Sequence, residues 1–386
     1  YGYYDVETSA RDGHFWYRLA KHYKNPYYLW AAEQVSLGGR PLNGKVSKEY
    51  DSAYERRFAW FIERDIKPKI PEGGAKIGLL SSLKNKIPER LYLNRDRKAG
   101  SAFAAFFLYP EKDEHLDNVS GHLYEYSVSG SKYLHTSGKY NNVYSGKDLR
   151  GGGTGEESLD LLLVMHNRHQ FPLHPDRKGD DRDFMRRGSI KHDDAFVIAE
   201  NNKFGDSYGR FAFDNYYGEG SRWERRVVLT REGFFIVLDR YRGGEILRED
   251  YLAGPVWHVG FDEAVKEGGQ SKNWFDFPPL DNAWWKKKKS RALLISHPHS
   301  KAKYGLIKQK NSQDTSPNVT LYSYRPVSSL QDEYFLNLFI PYDLPVDSSS
   351  ILKQTKTHLD SMGNAKIDLG HAGIEILIDE SWSVVR

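Results

Sequence analysis

The chain has 386 residues, more than an ordinary domain of ~100–200 residues, which indicates two domains or one large β-architecture with an appended segment. Its 39% of hydrophobic residues suffices for a packed core and excludes wholesale disorder, while a net charge of only +4 gives no sign of nucleic-acid binding. The absence of cysteine excludes disulfides and thiolate sites, and no apolar run approaches the ~18 residues of a membrane span. The sequence starts at Tyr1 without a signal or transit segment, which we interpret as a trimmed piece of a longer protein.

Residues 1–88 have a helical pattern. Apolar residues recur at helical spacing over 15–23 until the Asn25-Pro26 pair interrupts them, and a second short helix is predicted over 27–35. Aromatic residues within 50–62 mark a third helix. Three helices are too few for a large helical domain, so this segment is predicted to be part of a larger helical unit.

After Pro88 the sequence changes to short β-rich runs separated by Gly, Asn, Asp or Ser. Between two of these runs, Arg231-Glu232-Gly233 predicts a tight hairpin turn. Many strands without intervening helices predict a β-sandwich of antiparallel sheets over residues 89–386, in a chain of the α+β multidomain class. The predicted strands are 102–109, 122–128, 159–165, 225–230, 234–241, 292–296, 319–324, 334–340 and 373–378.

Short motifs with chemical potential follow one another in the predicted sandwich. A His115-x-Asp117 pair precedes one strand, and a turn of sequence Ser-Gly-Lys-Tyr ends at Tyr140. On a strand, residues two positions apart face the same side, so the His115-x-Asp117 pair would act together. The other motifs, in chain order, are the Arg-led run 95–107, Met165-His166-Asn167, the charged hairpin 225–240 and Val256-Trp257-His258.

These motifs, in this order, make the chain resemble the heparinase II/III-like family of polysaccharide lyases over residues 95–258. The resemblance implies an α/α-toroid followed by an antiparallel β-sandwich, with the active site in the cleft between them. Residues 1–88 would then be the last helices of the toroid, and residues 89–386 the sandwich. It also implies a lyase that acts on an anionic polysaccharide, and therefore a secreted or periplasmic protein.

The chemistry of such a lyase sets requirements on the side chains. β-Elimination removes the C5 proton of a uronate and expels the C4 oxygen, so the enzyme must neutralise the carboxylate as charge develops. It also needs a base near C5 and an acid near O4, and tyrosine suits both if a cation or histidine lowers its pKa from ~10.

The resemblance assigns these roles to particular residues. Catalysis falls to His115 and Tyr140, and the run Gly-Tyr3-Tyr4-Asp is similar to the turn that carries a catalytic tyrosine in the family. Tyr140 is interpreted equally well as an ordinary packing residue at the end of a strand. The alternative for Tyr3 and Tyr4 is that they are surface aromatic residues at a terminus. The residues predicted to bind substrate are Arg95, Arg97, His122, Tyr144 and His169.

A structural divalent metal, Zn or Ca, is the cofactor that the resemblance implies. His115, His135 and His166 would be its ligands, and three imidazoles can hold Zn²⁺ at ~2.0–2.1 Å. The sequence departs from the family at Thr136, where relatives carry an aspartate. The alternative is three hydrogen-bonded histidines inside the sandwich, with His115 free to act in catalysis.

Other function classes stay open at the level of sequence. A uronyl C5-epimerase would share the proton abstraction, and a non-catalytic carbohydrate-binding sandwich would need none of this chemistry. A glycoside hydrolase is weakened because no pair of carboxylic acids stands out. The substrate among alginate, glycosaminoglycans, glucuronan and ulvan is open, with the lysines and arginines favouring a sulfated chain. Neither a nucleic acid nor a membrane is predicted as a partner, and the oligomeric state is open.

Overall fold

The computed structural model describes residues 19–29, 67, 69, 73–81, 86–95, 101–108, 121–135, 162–166, 195–201, 205–214, 220–244, 251–259, 265–268, 273–282, 289–308, 319–327 and 331–379. By its internal contacts the chain divides into two compact units. The first comprises Tyr1–Gly73 and Asp96–Ser101, and the second comprises Gly74–Arg95 and Ala102–Arg386.

The described part of the first unit contains two short helical segments. Residues 19–23 and 26–29 form helical turns that are interrupted at Asn25. The Asn25 side chain accepts a hydrogen bond from the Tyr27 backbone N–H at 2.9 Å, and Pro26 stands at the first helical position, where its missing N–H costs nothing. The predicted interruption at Asn25-Pro26 is therefore confirmed. None of the helical segments in the described ranges has the length and apolar character of a bilayer crossing.

The second unit consists of antiparallel sheets. Every strand pairing among the described residues is antiparallel. The strands are β1 Lys76–Ser81, β2 Lys86–Asn94, β3 Phe103–Phe107, β4 Leu123–Val128, β5 Ser131–His135, β6 Leu162–His166, β7 Ala195–Asn201, β8 Ser207–Asp214, β9 Arg222–Leu229, β10 Phe235–Arg242, β11 Tyr251–Val259, β12 Lys266–Glu267, β13 Trp274–Phe277, β14 Asp281–Asn282, β15 Ser290–Ser296, β16 Lys303–Lys308, β17 Val319–Pro326, β18 Asp332–Asp343, β19 Thr355–Leu359, β20 Ala365–Leu369 and β21 Ile374–Ile378.

Four sheets are formed from these strands. The largest has eight strands in the order β12-β13-β15-β18-β10-β9-β8-β7. A six-stranded sheet has the order β1-β2-β3-β4-β5-β14, a four-stranded sheet the order β16-β17-β11-β6, and a three-stranded sheet the order β19-β20-β21.

One face of the eight-stranded sheet packs on the six- and four-stranded sheets and forms the sandwich core. Tyr126 of β4 stacks on Phe235 of β10 at 4.8 Å between ring centroids, and Trp257 of β11 meets Phe339 of β18 edge-on at 5.0 Å. Such offset and edge-on aromatic pairs add to the stabilisation from burial alone. The predicted antiparallel β-sandwich is confirmed.

The other face of the eight-stranded sheet is covered in part by the three-stranded sheet and a helix at Ser348–Lys353. The strands β20 and β21 alternate buried and partly exposed residues, and their isoleucines and leucines pack on Ile236 and Leu238 of β10. Asp347 caps the helix by accepting from the Ser349 N–H at 3.1 Å. The sandwich is thus extended by a third layer over part of its surface.

The β9–β10 hairpin has a regular register. Its register runs without a break from Leu229 opposite Phe235 to Arg222 opposite Arg242. At the turn, the Gly233 N–H donates to the Thr230 carbonyl at 2.9 Å with φ at +95°, a conformation that favours glycine. The tight turn predicted at Arg231-Glu232-Gly233 is confirmed.

All nine predicted strands are present, but the boundary predicted at Pro88 is wrong. Strand β1 and the start of β2 lie within the segment predicted to be helical. Pro88 sits inside β2 opposite Leu79, next to a register shift in β1, so the sheet tolerates its missing N–H. The assignment of the first unit to a toroid stays a prediction.

Candidate functional site

The segment that follows the predicted His115-x-Asp117 motif enters the sandwich core at Gly121. Gly121 has φ at +90°, and a Cβ added there would lie 2.5 Å from the Trp223 ring. Neither the backbone conformation nor the space admits another residue without strain. The chain therefore touches β9 directly, four residues after Asp117.

A buried ion pair lies beneath this entry point. Arg225 of β9 and Asp239 of β10 are directly opposite in the register, and both side chains are fully buried. The guanidinium is bidentate, with Nε–Oδ1 at 2.7 Å and Nη2–Oδ2 at 2.9 Å. The Trp223 indole N–H donates to the same Oδ1 at 2.9 Å. A carboxylate that accepts three hydrogen bonds compensates much of the desolvation cost of a buried charge.

Arg225 also joins three of the sheets. Its guanidinium lies 5.0 Å from the ring centroid of Trp223 and 5.0 Å from that of Trp257 on β11, a cation between two indoles. Its Nη1 donates to the Gly121 carbonyl at 3.5 Å, a long hydrogen bond just before β4. The Arg225–Asp239 pair therefore contacts the backbone at Gly121, which follows Asp117 by four residues in the sequence.

The structure contradicts one predicted substrate contact and leaves another open. His122 is fully buried beside Gly121, so its ring cannot reach a substrate in this conformation. The residue follows the glycine that packs on Trp223, and this entry into the core carries its side chain inward. Arg95 is exposed directly after β2, and its N–H donates to the Ala102 carbonyl at 3.1 Å. Its contact with substrate stays a prediction.

The backbones of two predicted metal ligands are described. His135 ends β5 and His166 ends β6, opposite Tyr251 of β11. Strand β5 lies in contact with β11 and β6 is paired with it, so both histidine-bearing strands share one neighbour. Among the side chains that the structure describes, no group of three or more His, Asp or Glu could hold a metal ion. The metal site stays a prediction.

Most of the remaining predicted site lies outside the described residues. This applies to His115, Tyr140, Tyr3, Tyr4, Arg97, Tyr144 and His169.

The pKa shifts of the described tyrosines bear on which residue could act as the catalytic base. Burial raises the pKa of Tyr126 well above its usual value and that of Tyr133 to about 12. Burial likewise raises the pKa of Tyr124, Tyr208, Tyr304, Tyr324, Tyr334 and Tyr342. A tyrosine base requires the opposite shift, so these eight residues are poorly suited to accept the C5 proton.

A second constellation, which the sequence did not predict, lies where β15 ends. The Tyr304 hydroxyl donates to the His297 carbonyl at 3.0 Å and accepts from the His299 N–H at 3.0 Å. Arg325 of β17 is paired with Glu333 at 2.9 Å beside them. The only signal in the sequence was a His-x-His spacing directly after a predicted strand. Because these polar groups bind one another, the constellation has a structural role.

Electrostatics keep the histidines of this constellation neutral. Burial, together with the charges of His358, Arg325 and His299, lowers the pKa of His297. Burial and Arg325 also lower the pKa of His299. The His297 Nδ1 lies 2.8 Å from the Thr357 hydroxyl of β19, so the neutral ring links the sandwich to the three-stranded sheet.

We expect acidification to loosen the three-stranded sheet. The folded-state pKa of His297 lies below the ordinary value of 6.5, so the unfolded chain takes up its proton first as the pH falls. Stability is therefore lost as the pH drops below 6.5 towards the lowered pKa. Amide hydrogen exchange in β19–β21 between pH ~7.5 and ~5.5 measures the effect.

His297→Asn is the matched variant for this experiment, because its amide can still bond Thr357 but does not titrate. It should flatten the pH dependence. A residual slope remains from His299 and from His371, whose pKa burial also lowers. Equal pH dependence in the variant and the parent would contradict the assignment to His297.

The fold of this chain is similar to that of solved structures over nearly its whole length. A heparan sulfate lyase HepC mutant from Pedobacter heparinus matches with a TM-score of 0.59 and 12% identity, over 98% of this chain and 48% of that one. A heparinase III gene product matches with a TM-score of 0.57 and 10% identity, over 97% and 48%. Unmutated HepC from the same organism matches with a TM-score of 0.54 and 13% identity, over 98% and 58%.

The chain thus spans about half the length of the structures it resembles. No protein-family model matches it, and no curated protein does. At 10–13% identity the likeness establishes the fold, which is that of the heparinase III structures, and leaves the activity to be argued from chemistry.

Proposed function

We propose that this protein is a polysaccharide lyase that cleaves a uronate-containing anionic polysaccharide by β-elimination. The observation that carries the proposal is the fold shared with heparan sulfate lyases over 98% of the chain. Within the sandwich, the Arg225–Asp239 pair contacts the backbone at Gly121, four residues after the predicted His115-x-Asp117 motif. A polymeric substrate of this kind lies outside the cell, so the protein is proposed to be secreted or periplasmic.

The proposed reaction divides its work among a few groups. A tyrosinate removes the C5 proton, the electron pair forms the C4–C5 double bond, and the C4–O bond breaks as an acid protonates the leaving oxygen. Tyr140 is the proposed tyrosine on the sandwich side, with Tyr144 beside it in sequence and Tyr3 or Tyr4 as the second proton carrier. Where His115 is not a metal ligand, it neutralises the uronate carboxylate as negative charge develops.

A structural divalent metal, Zn or Ca, belongs to the proposal. The fit rests on the backbone, because β5 and β6 end in His135 and His166 and share β11 as a neighbour. His115 would supply the third ligand. Such a metal would fix the orientation of the histidines, and the protons of the reaction would still be carried by tyrosine.

The first experiment measures the ultraviolet absorbance of unsaturated uronate. The complete protein that contains this chain is incubated with alginate, heparan sulfate, chondroitin sulfate, glucuronan and ulvan. We expect absorbance to rise with at least one polymer, and His115→Ala to lower the rate by ~10²-fold or more. His358→Ala, a histidine exposed on β19, is the matched control and should keep the parent rate. Metal analysis and dialysis against a chelator, on the same samples, test the metal.

The outcomes separate the proposed lyase from its alternatives. No absorbance with any polymer would contradict the lyase. Incorporation of solvent deuterium at C5 without cleavage would establish an epimerase instead. Binding without either reaction would leave a carbohydrate-binding sandwich.

A further inference from the structure

The part of the eight-stranded sheet that the three-stranded sheet leaves uncovered carries a cluster of arginines. Along β9, Trp223, Arg225 and Val227 point into the sandwich core, so Arg222 and Arg226 point to the opposite face. The register places Arg210 of β8 opposite Arg226, and Arg242 of β10 opposite Arg222. We call the arginine face the set Arg210, Arg222, Arg226, Arg240 and Arg242.

A buried carboxylate holds this face together. Glu224, which is 0% exposed, accepts from Arg226 Nε at 2.7 Å and from Arg210 Nη2 at 3.0 Å. Arg222 and Arg240 reach within 3.9 and 4.0 Å of the same side chain. Burial alone would raise the pKa of Glu224, but the hydrogen bonds and charges of Arg210 and Arg226 hold it below its usual value. Glu224 is therefore ionised, and four guanidinium groups surround one negative charge.

The charges do not balance across the described part of this surface. Two further carboxylates take part, Asp332 with Arg240 and Arg242, and Asp214 with Arg222. Glu200 of β7, which is exposed and opposite Tyr208, lies on the same side of the sheet. Among the described residues this surface therefore has five guanidinium groups and four carboxylates, a small excess of positive charge. The acid at its centre is fully buried, whereas the Arg242 side chain is 50% exposed and that of Arg222 31%. Asp214, the partner of Arg222, is 49% exposed as well, so solvent meets the two arginines together with an exposed carboxylate. Guanidinium groups bind carboxylate and sulfate in a bidentate manner.

The dimensions of the face fit a chain better than a small ion. Four strands, from β8 to β18, span about 14 Å across the sheet at ~4.8 Å per step, and Arg222 and Arg226 lie about 13 Å apart along β9. At one margin, Phe196 of β7 is 44% exposed and lies 5.5 Å from the Arg210 guanidinium. An exposed ring beside cations offers an apolar platform for the C–H face of a sugar.

We propose that the arginine face is a binding surface for an anionic polysaccharide, held through its carboxylate or sulfate groups. The identity of the polymer rests on the proposed function, but binding at this face is independent of the chemistry of cleavage. The surface lies on the side of the sheet opposite Arg225 and Trp223. It would raise the affinity of the protein for long chains without taking part in bond breaking.

The test is the affinity of the complete protein for heparan sulfate and for alginate, measured by calorimetry over a series of salt concentrations. The Arg222→Gln/Arg242→Gln double variant removes the two exposed cations and keeps the hydrogen bonds from Arg210 and Arg226 to Glu224. We expect its affinity to fall ~10-fold or more at low salt, with a weaker salt dependence. Loss with both polymers indicates recognition of carboxylates, and loss with heparan sulfate alone indicates recognition of sulfate.

Two matched variants make the result specific. Lys301→Gln/Lys303→Gln removes two exposed charges from another part of the protein and should keep the parent affinity. Arg222→Lys/Arg242→Lys keeps the charge but loses the planar fork, so its affinity should be intermediate. Circular dichroism and thermal unfolding check that all three variants are folded.

The elimination assay separates this proposal from the proposed function. Retained cleavage of short oligosaccharides together with weaker binding of the long polymer in the double variant would support both. Arginine-dependent binding in a protein without elimination activity would support the arginine face as a binding surface and contradict the proposed lyase activity. Equal losses in the Arg→Gln and Lys→Gln double variants, or none in either, would overturn the binding face whatever the activity.

Discussion

Asp239→Asn is expected to lower the free energy of unfolding by about 3–5 kcal/mol, because it leaves Arg225 charged and uncompensated in the core. Asparagine has nearly the same shape, so the effect isolates charge and hydrogen bonding from packing. Its oxygen can still accept from the Trp223 indole, but its amide nitrogen would face Arg225 Nη2, donor against donor. Denaturant unfolding, followed by tryptophan fluorescence, measures the loss.

Two further variants establish the cause. Asp214→Asn also breaks an arginine pair, with Arg222, but at the surface, where such a pair contributes ~0–1 kcal/mol. Adding Arg225→Met to Asp239→Asn removes the orphaned charge and should recover part of the loss. If Asp239→Asn cost no more than Asp214→Asn, the buried pair would not have the organising role assigned to it.

The strands that are clearest in the sequence are those with a mainly apolar run. The start of β10 and the middle of β18 are buried on both faces, one towards the sandwich and one towards the three-stranded sheet, so they are mostly hydrophobic on both sides. Strand β19 alternates exposed and partly buried residues with Lys356 and His358 outward, and its apolar signal is too weak to identify. Strand β2 was missed because Pro88 suggests a boundary, whereas a shift in the register of its partner accommodates it.

Only part of the candidate site could be predicted from the sequence, because its charged residues lie on strand faces that alternate with apolar ones. Arg225 shares its side of β9 with Trp223 and Val227, and Asp239 shares its side of β10 with Val237 and Tyr241. Alternation alone could have placed both charges in the core, but charges are so rarely buried unpaired that the solvated interpretation is the default. Only the register, which puts them opposite each other, resolves the choice. His122 was predicted to bind substrate because its burial follows from the contact of its neighbour Gly121 with Trp223. That contact is tertiary and leaves no signal in the local sequence.

Gly121→Ala is expected to lower the free energy of unfolding by about 2–5 kcal/mol, by adding backbone strain of ~1–2 kcal/mol to overpacking of ~1–3 kcal/mol. The new methyl would lie 2.5 Å from the Trp223 ring and 2.8 Å from that of Phe213. The Trp223 ring cannot move away without lengthening its hydrogen bond to Asp239. The backbone at Gly121 must shift instead, directly before β4.

Gly373→Ala is the control that separates strain from collision. Gly373 also has positive φ, at +64°, but no atom lies within 4 Å of its added Cβ, so only the strain of ~1–2 kcal/mol applies. The difference between the two variants in denaturant unfolding therefore measures the contact between Gly121 and Trp223. The proposed elimination activity, measured where both variants are fully folded, is expected to fall only in Gly121→Ala, because only that change displaces the backbone at Gly121. Equal losses of stability in the two variants would mean that Trp223 yields easily, and that the core does not hold the backbone at Gly121 in place.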